Sequence, residues 1–529
     1  MHQDVVRFAR TAPLINLPGG LGLLCERRFR RLAAAILLLA ALNLGVRLNQ
    51  EIVTDWDEAL YANTAWESLQ SGDWIGTTFL GQLDYYNSKP PLNIWLIGLA
   101  FKALGPSLLS LRLVSALSAW ITVLVLIVWA RRRFGAVVSL AAGLILSSSF
   151  GFIYVHSGRS GNADALFTLL VLLLVITLCA EQERPWRRVW TGPIVAGLFL
   201  LKGMAVLMPL VMVFGVLVLR PRAAIAAWRP WLVAVVLAVL PCGVWALARW
   251  SVDGSAFFDA MWRNDLIRIS TETLEGHAGT ALFYLNVLQK NQYDWLLAAI
   301  VVYALYPVPW SRVRAAASRG IDDTTLVLFV WAVVCFVIPT AMQTKLPWYL
   351  NPLYPAFALG AGWILARGLS QYGGSTPLRR GLAAAAVVGA LLVAEGKLVW
   401  YSFQARDVDQ SVQGLLMAER GRVMQAHIFK DRWSNSDVFV LEAIVRASGS
   451  VASNVDDFLL KSQPGDYFVA DPGLEHPSLR LVRSLGSHAL YQRTPRPDPG
   501  LIVTTVGGAA GAPPAQRPQV TSAHGARGS

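Results

Sequence analysis

About eleven apolar runs alternate with short basic clusters along the chain, and that alternation restricts it to one kind of fold. Crossing a bilayer takes roughly 20 mostly apolar residues per helix, and Lys and Arg collect in the loops on one side. The first run, Leu32 to Val46, follows Arg27, Arg28, Arg30 and Arg31. No small-residue cleavage site comes after it, so it reads as a retained anchor and not a signal peptide. A second span near Leu111 to Ala130 ends on Arg131-Arg132-Arg133. The remaining spans are expected over Val137 to Val155, Ala165 to Ala180, Trp190 to Leu201, Met204 to Leu219, Trp231 to Leu247, Trp295 to Val308, Leu326 to Pro339, Tyr349 to Ala366 and Leu382 to Ala394. Threaded this way, Arg184, Arg187, Arg188, Arg220, Arg222, Arg229, Arg312, Arg314, Arg319, Arg367, Arg379 and Arg380 share one side.

Composition agrees with this threading. The 529 residues are 55% hydrophobic and 15% charged, whereas soluble domains carry about 25% charged residues. The net charge of +13 lies in the clusters between apolar runs, which excludes a nucleic-acid-binding surface as its purpose. Cys25, Cys179, Cys242 and Cys335 lie in or beside apolar runs without metal-ligand or disulfide spacing, and read as small packing residues. The expected fold is therefore a polytopic α-helical membrane protein of about 11 transmembrane helices, with a large first extracytoplasmic loop from about Gln50 to Ser110. Residues 1–31 form a cytoplasmic N-terminus and residues 32–398 the membrane domain. Residues 400–495, with helix-like stretches at Asp437 to Ala447 and Asn454 to Leu460 and strand-like ones at Tyr467 to Ala470 and Ala489 to Tyr491, form a small soluble extracytoplasmic α/β domain. The Pro/Gly/Ala-rich residues 496–529 read as a disordered tail.

Asp57, Glu58, Lys89, Arg159, Asp164, Lys202, His277 and Lys345 all fall on the side opposite the basic clusters. Ionisable groups close to lipid are expensive and mark function. Thr54-Asp55-Trp56-Asp57-Glu58 opens a helix whose apolar face holds Leu60, Tyr61, Ala65 and Leu69 and which ends at Ser71-Gly72. Its acids fit an N-cap with first-turn charge, or a helix lying on the membrane surface, as well as they fit catalysis. Tyr85-Tyr86-Asn87-Ser88-Lys89-Pro90-Pro91 precedes an apolar stretch too short to span, Leu92 to Leu104. Lys89 is either a snorkelling lysine or a phosphate ligand held at fixed depth by the prolines. His156-Ser157-Gly158-Arg159-Ser160-Gly161-Asn162-Ala163-Asp164 joins two spans; Arg159 and Asp164 fit an ion pair, a helix cap, or a second cation and acid for the site. Lys202-Gly203 interrupts the apolar run Ile194 to Val218 and reads as a tight external turn. His277 alone is the weakest candidate. Lys345-Leu346-Pro347-Trp348-Tyr349 is stronger, because irregular backbone at membrane depth lines a cavity.

The order Asp57-Glu58-x-x-Tyr61, Tyr86-x-x-Lys89-Pro90-Pro91, Arg159 to Asp164, Lys202-Gly203 and Lys345-x-x-x-Tyr349 resembles the C-type membrane glycosyltransferases. The branch in question is that of bacterial aminoarabinose lipid A transferases and protein O-mannosyltransferases, and the similarity covers roughly residues 30 to 370. It implies transfer of a sugar from a polyprenyl-phosphate donor to a lipid, glycan or protein acceptor at the outer face of the inner membrane. By this resemblance Asp57 is the catalytic carboxylate and Asp164 a second acid, with Lys89, Lys202 and Tyr349 on the donor. Glu58, Tyr61, Tyr86, Arg159, His277 and Lys345 complete the substrate-binding set. The family commonly has Arg where Leu60 stands and Glu where Ser88 stands; the second change removes a carboxylate suited to a metal. No metal ligand is assigned, and a divalent cation is left open as the sole cofactor option. An oligosaccharide polymerase or ligase, or a lipid-linked-sugar flippase, is the alternative reading.

Overall fold

Helices dominate the structure, a computed structural model, because backbone within lipid can satisfy its N–H and C=O groups only internally. It describes residues 20–179, 185–307, 322–371, 374–404, 408, 411–422, 425–429 and 434–495. The N-terminal arm before residue 20, Arg184, Arg312, Arg314, Arg319 and the tail from residue 496 lie outside the described residues. The membrane part comprises α1 (Phe29–Gly45), α2 (Asp57–Ser71), α3 (Leu92–Leu104), α4 (Leu108–Phe134), α5 (Ala136–Ser147), α6 (Asp164–Leu178), α7 (Thr191–Lys202), α8 (Leu207–Leu219), α9 (Trp228–Asp253), α10 (Phe283–Leu305), α11 (Asp323–Ala341), α12 (Tyr354–Gln371) and α13 (Pro377–Gln404). Among the described residues, five helical stretches are long and apolar enough to cross a membrane: Leu108–Phe134, Pro185–Leu219, Trp228–Asp253, Asp323–Ala341 and Pro377–Gln404. The chain is thus an integral membrane protein of several spans.

Two ends of the bundle are chemically distinct. At one, Arg131 pairs with Glu26, Arg133 reaches the Cys179 carbonyl, and Arg220 Nε lies 2.9 Å from Asp323. Arg188, ahead of α7, shares a small cleft with Arg220 and Asp323, so α7 leaves this end and α8 returns to it. The reversal at Lys202-Gly203 is the turn expected from the charge interrupting an apolar run. Packing in the bundle is close: a Cβ on Gly362 of α12 would stand 2.9 Å from the Ala142 backbone nitrogen of α5, so these helices meet backbone to backbone. The cysteines are free and buried or half-buried, as packing residues should be.

Several boundaries differ from expectation. The span anticipated at Trp295 instead begins at Phe283, with a break in helical geometry at Gln292, whose side chain bonds Ser149. The span over Val137 to Val155 divides at Ser148-Ser149 into α5 and a short helix, Phe150–Tyr154. The first half of α2 does not lie on a membrane surface. Every residue from Glu58 to Ala65 is buried, with α3 against it and residues of the C-terminal α/β unit on it.

That unit contains α14 (Val412–Ala418), α15 (Asn435–Phe439), α16 (Val455–Lys461) and a five-stranded sheet. Labelled after the hairpin β1 (Thr78–Phe79) and β2 (Gln82–Leu83), its strands are β3 (Gln425–Phe429), β4 (Ser448–Ala452), β5 (Tyr467–Ala470), β6 (Leu479–Leu485) and β7 (His488–Arg493), in the order β4-β3-β5-β7-β6. β3 runs parallel to β4 and β5, while β7 is antiparallel to β5 and β6. The sequence reading found β5 and part of β7 but not β3, β4 or β6. β4 is short and small-residue rich, and β6 is an exposed edge, so neither shows the alternation that marks a half-buried strand. The unit is anchored beside the start of α2. Asn63 Nδ2 donates to the Asn435 carbonyl at 2.8 Å, Gln413 brackets the Val53 backbone, and Phe439 stacks on Phe101 at 5.6 Å.

Candidate active site

Asp57 opens α2, and its direction is set by the residue before it. Trp56 adopts φ 67°, ψ −123°, a conformation that costs a residue with a Cβ about 1–3 kcal/mol and persists only where its surroundings impose it. The Asp57 carboxylate lies 3.6 Å from Lys89 Nζ and 3.5 Å from His156 Nε2. His156 Nδ1 is 3.0 Å from Asp164, whose other oxygen accepts a hydrogen bond from Lys202 Nζ at 2.6 Å. The five groups form a chain, Lys89–Asp57–His156–Asp164–Lys202, in which the two carboxylates alternate with the lysines and the imidazole, and bring together four parts of the sequence. Stacking on Trp348, with ring centroids 4.1 Å apart, holds the His156 ring in place. His156 itself sits at φ 55°, a left-handed conformation in the Gly/Ser-rich turn before α6.

Burial opposes the charge on Asp57, but Lys89, His156 and Lys202 outweigh it and hold the carboxyl below the ordinary range. Burial likewise opposes the Lys89 ammonium, and Asp57 more than compensates, keeping it protonated well past the usual lysine range. Both groups are therefore ionised at neutral pH.

Lys89, Asp164 and Lys202 line a cavity of about 350 Å³. Asp265, Trp348 and Tyr349 add to its polar part, while Phe167, Met204, Leu207, Met208, Val211, Ile338 and Met342 make the rest apolar. Gly203 is required at its rim. A Cβ there would meet Pro90 Cδ at 3.1 Å, and the residue's φ of +53° suits glycine. Gly203→Ala is expected to cost about 1–3 kcal/mol and to displace Lys89 through Pro90. A thermal-unfolding shift in detergent together with weakened donor binding would register both effects.

Other residues expected at the site are engaged elsewhere. Glu58 accepts from Arg112 Nε at 2.8 Å, from Thr54 N and Oγ1 at 2.8 Å each, and from Gly161 N at 2.8 Å. It locks the first loop to the bundle and lines no part of the cavity. Thr54 is accordingly not the cap of α2; Glu58 reaches back to it. Arg159 pairs with Glu51 and donates to the carbonyls of Asn43, Leu44 and Val46, so of the readings open for Arg159 and Asp164 the ion pair between them is not the one the structure adopts. Lys345 Nζ donates to the Thr340 carbonyl at 2.6 Å and to that of Met342, closing the C-terminal end of α11. His277 receives the Lys345 backbone N–H through its carbonyl, and its ring is not part of the cavity lining. Tyr86 is exposed and donates to Glu275. Tyr61 is buried within the charge field of Lys89 and Asp57, and its hydroxyl has no hydrogen-bond partner among the described residues.

Sequence reasoning passed over His156, Trp348 and Asp265 as site residues. His156 and Trp348 stand within motifs already noted, whereas Asp265 carries no sequence signal. Among the described residues, no group of three or more His, Cys, Asp or Glu side chains gathers as a metal site requires.

The family model for dolichyl-phosphate-mannose-protein mannosyltransferases matches residues 88–246. The chain is 30% identical over 344 residues to the undecaprenyl phosphate-alpha-4-amino-4-deoxy-L-arabinose arabinosyl transferase of Pseudomonas savastanoi pv. phaseolicola, covering 63% of this chain and 62% of that one. It is 29% identical over 339 residues to the protein of the same name from Pseudomonas aeruginosa, covering 61% and 57% respectively. The chain thus spans about six tenths of the length of these curated relatives. The fold is similar to that of ArnT from Cupriavidus metallidurans bound to undecaprenyl phosphate, with a TM-score of 0.63 at 15% identity, covering 87% of this chain and 97% of that one. The apo form gives a TM-score of 0.64 at 17% identity, covering 88% and 98%. The chain is thus similar in sequence, over residues 88–246, to the dolichyl-phosphate-mannose-protein mannosyltransferases and, over about six tenths of its length, to the curated arabinosyl transferases, and it is similar in fold to ArnT.

Proposed function

We propose that the chain transfers a sugar from a polyprenyl-phosphate donor to an acceptor at the outer face of the cytoplasmic membrane, by a single displacement with inversion. The observation that carries this reading is the cavity itself: Lys89, Lys202 and Asp164 line its polar part, Asp57 pairs with Lys89 at 3.6 Å, and the apolar remainder suits a lipid chain. The relatives named for an undecaprenyl-phosphate donor support the same donor class here.

In this mechanism Lys89 and Lys202 share their charge with the donor phosphate. The leaving group is a phosphate ester, a weak base that needs cationic stabilisation more than protonation. In a water-poor pocket such contacts count for more than in bulk water. Asp57 accepts the acceptor hydroxyl's proton as that oxygen bonds to the anomeric carbon, and the carbon–oxygen bond to phosphate breaks with its electron pair leaving on polyprenyl phosphate. His156 holds Asp57 and Asp164 in register and keeps both carboxylates oriented. Where the acceptor is itself an ionised phosphate, no proton need be removed and Asp57 serves to balance the charge of Lys89. Lipid A, another lipid or glycan, or a protein each fits as acceptor.

The basic clusters at the far end of the bundle support a cytoplasmic location for that end and a periplasmic one for the cavity. Helices α1, α4 to α13 then give eleven crossings, with α2, α3 and the C-terminal unit outside the membrane. Lys89→Ala is expected to raise the donor KM about tenfold or more, as loss of a charge-assisted contact does. The transferred sugar should have the anomeric configuration opposite to the donor's; retention, read by NMR of the product, would rule out single displacement.

A further inference from the structure

Asp265 is the one cavity carboxylate that this mechanism leaves unused. It belongs to a π-helical turn, Arg263–Arg268, between α9 and α10, and such turns occur chiefly where a helix is adjusted for function. The residue lines the cavity within the charge field of Lys89 and Asp57, beside Ser88. Its Oδ2 and the Ser88 Oγ are both shut off from solvent and make no hydrogen bond among the described residues. Unpaired buried polar atoms are few in native proteins and call for a partner. Lys89 does not serve as that partner: it pairs with Asp57 at 3.6 Å and, among the described residues, forms no ion pair with Asp265. Burial pushes the Asp265 carboxyl up, against the pull of Lys89 and of the neighbouring Ser88 hydroxyl.

The chemistry of the missing partner is narrow. A carboxylate repels a phosphate, and an apolar lipid chain has nothing to offer it. The part of a lipid-linked sugar that adjoins the phosphate and carries hydrogen-bond donors is the sugar ring. We propose that Asp265, flanked by Ser88, receives that ring, accepting hydrogen bonds from its hydroxyl or ammonium groups. This proposal rests on the transferase reading above and adds a determinant of sugar choice to it.

The test measures binding of three probes to the purified full-length protein: undecaprenyl phosphate, and undecaprenyl-phosphate-linked pentoses with and without an amino group. Asp265→Ala should weaken both sugar-bearing probes by about tenfold or more, the typical range for a hydrogen bond to a charged group. The amino sugar should suffer most. Undecaprenyl phosphate alone should bind as well as before or more tightly, since a negative charge near Lys89 has gone. Should the alanine variant fail to fold, Asp265→Asn keeps the shape and removes the charge, and the amino-sugar probe should still lose the most. Equal loss across the three probes, or no loss at all, overturns the assignment. Wild-type protein that binds none of the three overturns the transferase reading, and this one with it.

Discussion

Asp57→Asn is expected to lower sugar transfer by about 10²–10⁴-fold, the range associated with loss of a positioned general base. The substitution keeps the size and shape of the side chain but cannot take a proton from an acceptor hydroxyl. It also frees Lys89 from its carboxylate partner at 3.6 Å. Donor binding should therefore persist or tighten while turnover is lost, a split that mere misfolding would not produce. The measurement pairs single-turnover transfer with direct binding of the lipid-linked donor. Normal turnover in the variant would remove Asp57 from the mechanism. The pH profile offers a further check. Because its neighbours hold the Asp57 carboxyl below the ordinary carboxylate range, the base stays ionised as pH falls through about 4. Transfer should not fall off through protonation of Asp57 at any pH near neutrality.

Glu58→Ala, one residue further along, is expected to unfold the protein rather than silence it. Removing the carboxylate strands the buried Arg112 guanidinium and leaves the Gly161 N–H without its acceptor. Breaking one side of a buried ion pair costs about 3–5 kcal/mol, a large fraction of the 5–15 kcal/mol by which native domains are stable. Thermal unfolding in detergent should shift strongly for Glu58→Ala and little for Asp57→Asn. Arg112→Lys should not preserve stability, since Arg112 also donates to the carbonyls of Leu48, Glu51 and Ile52, a fan that an ammonium cannot reproduce. Burial opposes the Glu58 charge, but Arg112 and the backbone donors hold its pKa below the usual value. The sign of the pH dependence follows. The stabilisation is fully present above the unfolded-state pKa and is lost as pH falls through the lower folded-state value. A variant that unfolds at the wild-type temperature would show that Glu58 does not hold the loop.

These adjacent carboxylates mark the limit of what the sequence could resolve. Both stand in the same motif, both are acids at the start of a helix, and both were expected at the site. Their roles diverge because of partners that lie far off in the chain: Lys89 and His156 for one, Arg112 and Gly161 for the other. Arg159 and Lys345 follow the same pattern. Each was notable as a cation next to an apolar run, and each is consumed by carbonyls and acids that periodicity does not reveal. His156 was visible in a turn but indistinguishable from a structural histidine until two carboxylates were found on either side of its ring.

The membrane class, the grouping of basic residues, the reversal at Lys202-Gly203 and the candidacy of Asp57, Lys89, Asp164 and Lys202 were determined by the sequence alone. That was so because an apolar chain tolerates few charges, so those it keeps are conspicuous. Which of those charges face the cavity, which are spent on holding loops to helices, and that Asp265 joins them were decided only by the tertiary structure. The physical reason is that a charge near lipid is neutralised by whatever partner folding brings within a few ångströms, and that choice depends on contacts between segments a hundred residues apart.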